Sequence, residues 1–187
     1  RKEAGKNLPL LIDAFESLRR ELGDDSLQLV LIGAGDISFR DSLPEGVLDL
    51  GFVSESEKRI LFRNALALVQ PSVNESFSIV MMEAWLERTP VIVHSRGRVT
   101  RAHVVDSGGG LYFADEAELT AVIKHLLKTS GLRELLGNAG YDYVSREYSW
   151  SSVLTRFRDG IKRIWSSETD VALPSAFSSA SPRLCDQ

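Results

Sequence analysis

The chain holds a single cysteine, Cys185, among its 187 residues. That excludes an internal disulfide and any zinc site built on cysteines, and it fits a reducing, cytoplasmic setting. Histidines are scarce too: His94, His103 and His125 lie far apart. No cluster has metal-ligand spacing, so neither a metal nor another cofactor is expected. Lysine and arginine form no run, the net charge is −4 and the pI is near 5.5. A dedicated nucleic-acid binder needs a basic surface to displace counterions from phosphates, and none is visible. No apolar run approaches the roughly 20 residues that span a bilayer. The opening Arg1-Lys2-Glu3 does not read as a signal peptide. With no methionine in front of it, the chain is expected to be a piece of something longer.

What remains is an ordinary globular composition, 43% hydrophobic and 26% charged, with length enough for one substantial core. Leu8, Leu11, Ile12, Phe15, Leu18 and Leu22 recur at helical spacing, predicting an amphipathic helix over 7–22 that Gly23-Asp24-Asp25 stops. Residues 27–32 form an apolar run of strand length, followed by Gly33-Ala34-Gly35-Asp36. A second strand is expected over 47–53. Ser54 then caps a helix over 55–64, with Glu57 completing a capping box. Strands are expected at 65–70, 89–94 and 111–113, and helices at 78–86, 115–129, 131–146 and 150–165. Residues 95–107 read as a polar, basic stretch leading to Gly108-Gly109-Gly110. Alternating strands and helices imply an α/β core with parallel pairing, and near-continuous apolar strands imply a sheet covered on both faces. From Ser166 the composition turns to Ser, Ala and Pro, so 167–187 is expected to be a disordered tail behind one domain at 1–166.

Two glutamates carry the chemistry. Glu83 lies in Phe77-Ser78-Ile79-Val80-Met81-Met82-Glu83-Ala84-Trp85-Leu86, apolar on nearly every side and therefore expected to be buried. A carboxylate there must be paired or hydrogen-bonded, which serves a structural role as well as a functional one. The loop before it, Pro71-Ser72-Val73-Asn74-Glu75-Ser76, follows a strand, and ligands of open α/β sheets bind outside the carboxyl ends of strands. The next helix offers free N–H groups and a positive dipole end, suited to hydroxyls and phosphates. Glu75 stands just before that turn and Glu83 about two turns in. At ~1.5 Å rise per residue the pair can meet parts of a polyhydroxylated ligand about 10 Å apart.

This E-x7-E arrangement, with Phe77 and a small residue after Glu75, is similar to the signature of glycosyltransferase family 4, the group 1 glycosyltransferases. The resemblance covers about residues 1–165. It implies the C-terminal, donor-binding domain of a two-domain GT-B enzyme: a Rossmann-like, doubly wound parallel sheet with its first strand missing here and helices at the C-terminus. It also implies that Glu75, as the catalytic-site carboxylate, lies against the donor sugar and Glu83 against the ribose, with Ser76, Phe77, Ser78 and Ile79 lining the donor site. The family usually has Gly where this chain has Ser78. Arg1 and Lys6 resemble the basic pair of a G-R-x4-K segment that neutralises the donor pyrophosphate, though taken alone such residues are usually solvated charges. Gly33-Ala34-Gly35 resembles the family's G-x-G turn, which lets backbone approach a ligand closely. Gly51-Phe52-Val53 matches a segment that meets the nucleotide base, or is simply a strand end. Thr89-Pro90-Val91-Ile92 resembles a strand-opening segment with a structural role.

The chain departs from the family at 95–110. Ala102 stands about where relatives carry a Glu, and Arg96, Arg98 and Arg101 either strengthen anion binding or form a solvated face. His94 is read as structural, since retaining transfer without a covalent intermediate needs no protein base. The two glutamates are not read as a glycosidase acid and nucleophile. Tyr141, Tyr143, Tyr148 and Trp150 are read as packing before sugar stacking. The resemblance thus implies transfer from a nucleoside diphosphate sugar with retention, metal-free. An N-terminal acceptor domain would be the partner, no nucleic acid or transmembrane segment is involved, and the full enzyme would sit in the cytoplasm or at its membrane face. This half alone is expected to be inactive. The alternatives are a non-catalytic nucleotide-sugar module and, more weakly, a flavodoxin-like regulatory domain.

Overall fold

The computed structural model describes residues 4–35, 37 and 41–167. Arg1 and the 168–187 part of the expected tail lie outside the described residues. The described chain begins with a 3-10 turn, Ala4–Lys6, and helix α1, Leu8–Leu22. Strands β1, Leu29–Leu31, and β2, Val47–Asp49, precede helix α2, Glu55–Asn64. Then β3, Leu68–Gln70, α3, Ile79–Leu86, β4, Val91–His94, α4, Arg98–Ser107, and β5, Gly110–Phe113, alternate. Helices α5, Glu116–Lys128, α6, Leu132–Glu147, and α7, Trp150–Ser167, complete the described residues.

Every strand pair among the described residues is parallel. β1 pairs with β2, and β3-β4-β5 form a second sheet in that order, with Leu68 opposite Val91 and Val91 opposite Gly110. A single hydrophobic cluster serves both. Leu31 and Val47 from the first sheet join Ile92 and Phe113 from the second, under Leu11, Ile12 and Phe15 of α1 and Leu119 and Leu126 of α5. All four residues of β4 are buried, so the second sheet is covered on both faces. The opposite cover is α3 with α6. Trp85 is fully buried, its indole N–H donates to the Gly109 carbonyl at 2.7 Å, and its ring meets Tyr143 edge-on. This is the Rossmann-like, doubly wound arrangement expected, with β1 to β4 shorter than the apolar runs that announce them and β5 one residue longer than expected.

Local signals explain the element ends. Ser54 accepts from the Glu57 N–H, while the Glu57 carboxylate accepts from the Ser54 N–H at 2.7 Å, a complete capping box. Gly23 closes α1 at φ 60, in the left-handed region that suits glycine. One expectation fails: 98–107 is helix α4, not an irregular basic stretch. Only Thr100 and Val104 of it are buried, a stripe too narrow to register as periodicity, and Gly97 and Gly108 bracket it.

The chain divides into two compact units between Glu147 and Tyr148. In the second, α7 is amphipathic: Trp150, Leu154, Phe157, Ile161, Ile164 and Trp165 are exposed along it at helical spacing.

Candidate donor site

At the carboxyl end of β3, Gln70 leads into Pro71 and the loop to α3. Asn7, itself at φ 62, donates from its side-chain amide to the Pro71 carbonyl at 3.3 Å, fastening the start of α1 to that loop. The fastening sets Lys6 beside Glu75. The Lys6 ammonium donates to Glu75 Oε1 at 2.7 Å, and Gln70 Nε2 reaches the same oxygen at 3.3 Å. Gln70 Nε2 also lies 3.2 Å from Ser78 Oγ. Glu75 is 17% exposed, so its charge is held by these donors with limited access of solvent.

Ser78 is the N-cap of α3 at φ 63, ψ 71. A side chain there is strained, which gives a physical reason for the family's glycine. The Ser78 hydroxyl makes no cap bond. The first N–H groups of α3 are therefore not closed by their own N-cap side chain, at the positive end of the helix dipole.

Glu83 corrects an expectation. It is not buried: its side chain is 33% exposed and its Oε1 accepts from the Lys58 ammonium of α2 at 2.9 Å. α3 is apolar all round without being covered all round, since Ile79 and Leu86 are exposed. The deeply buried carboxylate is Glu87, 5% exposed, held by Arg63 at 2.6 Å and by Arg59. The Arg59 hydrogen bond, then that of Arg63, outweighs burial and keeps the Glu87 carboxyl below the usual glutamate range. Burial pulls the Lys58 ammonium down, but the hydrogen bonds and charges of Glu55 and Glu83 outweigh it and leave it raised.

The other expected residues fall at the same ends of the strands. Gly33, at φ 103, donates to the Gly51 carbonyl at 2.6 Å, tying the turns after β1 and β2 together. Phe52 next to it is 87% exposed. Ser76 and Ile79 are exposed, and Phe77 stands edge-on to His103 of α4 at 5.4 Å between centroids. Gly97, before α4, lies so close to the Ser72 carbonyl that a Cβ would come within 3.1 Å, so the turns after β3 and β4 touch. The structure thus joins Lys6, Glu75 and Ser78 in one network, and gives Glu83 to a second one with Lys58 and Glu55. Gly33 and Phe52 form a third group.

Among the arginines, Arg101 stacks over Tyr112 at 5.0 Å, while Arg96 and Arg98 are exposed. His94 is buried against Phe113, its Nδ1 accepts from the Arg96 N–H, and burial, with Arg96, lowers its pKa. The structural reading of His94 stands. Tyr143 is buried in packing and Tyr141 lies under Arg88. Gln70, Asn7 and Lys58 escaped the sequence reading. Of these only Asn7, a residue suited to the left-handed turn before a helix, left a signal.

The domain is a parallel α/β domain of Rossmann-like type, and its Lys6–Glu75 pair stands at the carboxyl end of β3, where ligands of such sheets bind. The chain belongs to the glycosyl transferases group 1, whose family model matches residues 2–129. It is 30% identical to the phosphatidyl-myo-inositol mannosyltransferase of Mycobacterium leprae, across 92% of this chain and 47% of that protein. The chain thus spans about half the length of that relative. Among solved structures it resembles the C-terminal domain of a group 1 family protein, LpcC, from Francisella tularensis, with a TM-score of 0.67 and 21% identity over 80% of this chain and 83% of that one. It also resembles HepE of Anabaena in complex with UDP-glucose, with a TM-score of 0.69 and 19% identity over 89% of this chain and 47% of that one. The fold is that of GT-B glycosyltransferases.

Proposed function

We propose that the chain binds a nucleoside diphosphate sugar and forms the donor half of a retaining glycosyltransferase. The observation that carries this reading is the Lys6–Glu75 pair set at the N-terminus of α3, 2.7 Å apart. A cation and the positive end of a helix dipole suit a diphosphate, and a carboxylate beside them suits the hydroxyls of the sugar attached to it. Glu83, one-third exposed on the same helix, takes the ribose hydroxyls. The exposed Phe52 segment meets the base, with Gly33 close to it. Arg1 is proposed as a second cation on the diphosphate from the family resemblance alone. The names of similar proteins support this reading, HepE having been solved with UDP-glucose.

In the transfer, the bond from the anomeric carbon to the phosphate oxygen breaks as the acceptor hydroxyl oxygen bonds to the same face. The acceptor proton passes to the departing phosphate oxygen, so no protein base is required. Lys6 and the α3 N-terminus stabilise the growing negative charge, a role that needs no metal. The acceptor is proposed to bind a second domain, and the exposed apolar stripe of α7 is available to such a partner.

A thermal-shift panel of UDP, GDP and ADP with their sugars tests the site, because a ligand that binds only the folded state raises the melting temperature. One nucleotide should shift the wild type clearly more than Glu83→Ala. If none shifts the wild type, or Glu83→Ala responds equally, the assignment fails.

A further inference from the structure

Lys58 belongs to no motif, yet its ammonium is pinned between two carboxylates from different helices. It lies 2.9 Å from Glu55, one turn back on α2, and 2.9 Å from Glu83 on α3. Its side chain is only 16% exposed, against 82% for Glu55 and 33% for Glu83. Glu83 gives Oε1 to Lys58 and keeps a third of its side chain open to solvent. A carboxylate takes both hydroxyls of a vicinal diol more tightly when its plane is already fixed, because fixing a glutamate side chain after binding begins costs rotamer entropy. The Lys58 contact fixes it beforehand. Two carboxylates around one ammonium leave the cluster net negative, so it repels phosphate and favours neutral hydroxyl donors. Lys6 stands at the other end of the site as an anion partner. The two clusters therefore give a bound nucleotide a direction. The capping box of Ser54 and Glu57 holds α2 rigid directly after Phe52.

We propose that Lys58 is a positioning residue for nucleotide recognition, holding Glu83 from α2 in the plane that accepts the ribose diol, with Glu55 holding Lys58. The inference rests on the ribose reading of Glu83 above. It is distinct from that reading, because a free Glu83 would also contact ribose.

The test is calorimetric titration of the full chain with UDP, GDP and ADP and with the 2′,3′-dideoxy form of each. Wild type, Lys58→Met, Lys58→Arg and Glu83→Gln are compared, with thermal melts confirming that each is folded. The wild type should prefer its ribonucleotide over the dideoxy form by about tenfold, the scale of a charge-assisted hydrogen bond. Lys58→Met should cut that preference to about twofold while binding the dideoxy form as the wild type does. Lys58→Arg should recover most of it, and the double variant Lys58→Met/Glu83→Gln should lose no more than Glu83→Gln. If Lys58→Met keeps the wild-type preference, or weakens both forms equally, Lys58 is structural only and this inference falls while the ribose reading stands. If the wild type binds none of the six, or does not distinguish the two forms, the ribose reading falls and takes this inference with it.

Discussion

Lys6 and Glu75, 69 residues apart in the chain, meet at 2.7 Å. Their ion pair uses part of the capacity of the groups proposed to bind the diphosphate and the sugar, so donor binding competes with it. The pair is only partly buried and its own contribution to stability is small, about 1 kcal/mol or less. That makes the exchange feasible.

Binding and transfer should therefore respond oppositely at Glu75. Glu75→Gln removes an anion and frees Lys6, so nucleoside diphosphate should bind about three- to tenfold more tightly, as expected for losing one close like charge on the ligand. Sugar transfer by the whole enzyme should nonetheless fall. Lys6→Met should weaken diphosphate binding about tenfold or more. Titration of both variants checks this, and equal weakening in both would count against the shared site.

Ser78 offers a stability test of the left-handed backbone. Both Ser78→Gly and Ser78→Ala lose the hydrogen bond to Gln70. Only glycine relieves the strain at φ 63. Urea melts should place Ser78→Ala below Ser78→Gly by about 1 kcal/mol. The opposite order would mean that the residue does not hold this conformation in solution.

The contact between α3 and α6 depends on Gly140. A Cβ there would lie 2.0 Å from Trp85 Cδ1, and Trp85 is fully buried and cannot move aside. Gly140→Ala should cost about 3 kcal/mol or more, the upper range for overpacking. At Gly160 in α7, by contrast, a Cβ would meet nothing within 4 Å. Gly160→Ala should instead stabilise its helix by about 0.5–1 kcal/mol. Denaturant melts followed by far-UV circular dichroism separate the two.

These positions show what a sequence can and cannot announce. The capping box at Ser54 is local, four residues reporting on one another, and the structure reproduces it. Helix α1, with its wide apolar stripe, falls within a residue of its expected bounds. α4 does not, because two buried residues do not make a pattern. The site is legible as residue types at a spacing, but its pairings are not. Lys6 finds Glu75, Lys58 finds Glu83, and Asn7 finds Pro71 only once the sheet has brought distant segments together. For the same reason hydrophobic composition pointed to the wrong glutamate as buried. The arginines that hold Glu87 lie 24 and 28 residues away on α2.

Glu87 gives the clearest pH dependence. Its carboxyl is held below the ordinary glutamate value in the folded state by Arg59 first and Arg63 next. Unfolded chains lose those partners, so the unfolded state takes up the proton at higher pH. The stabilisation is therefore complete above the unfolded value, near pH 4.3, and is lost as pH falls through the lower folded value. Glu87→Gln should cost about 1–2 kcal/mol at neutral pH, discounted because both guanidinium groups are largely exposed. The difference between variant and wild type should then shrink steadily from about pH 5 to pH 3. Urea melts across that range measure it. A difference independent of pH would show that Glu87 contributes by packing alone, and that the two arginines of α2 do not hold its charge.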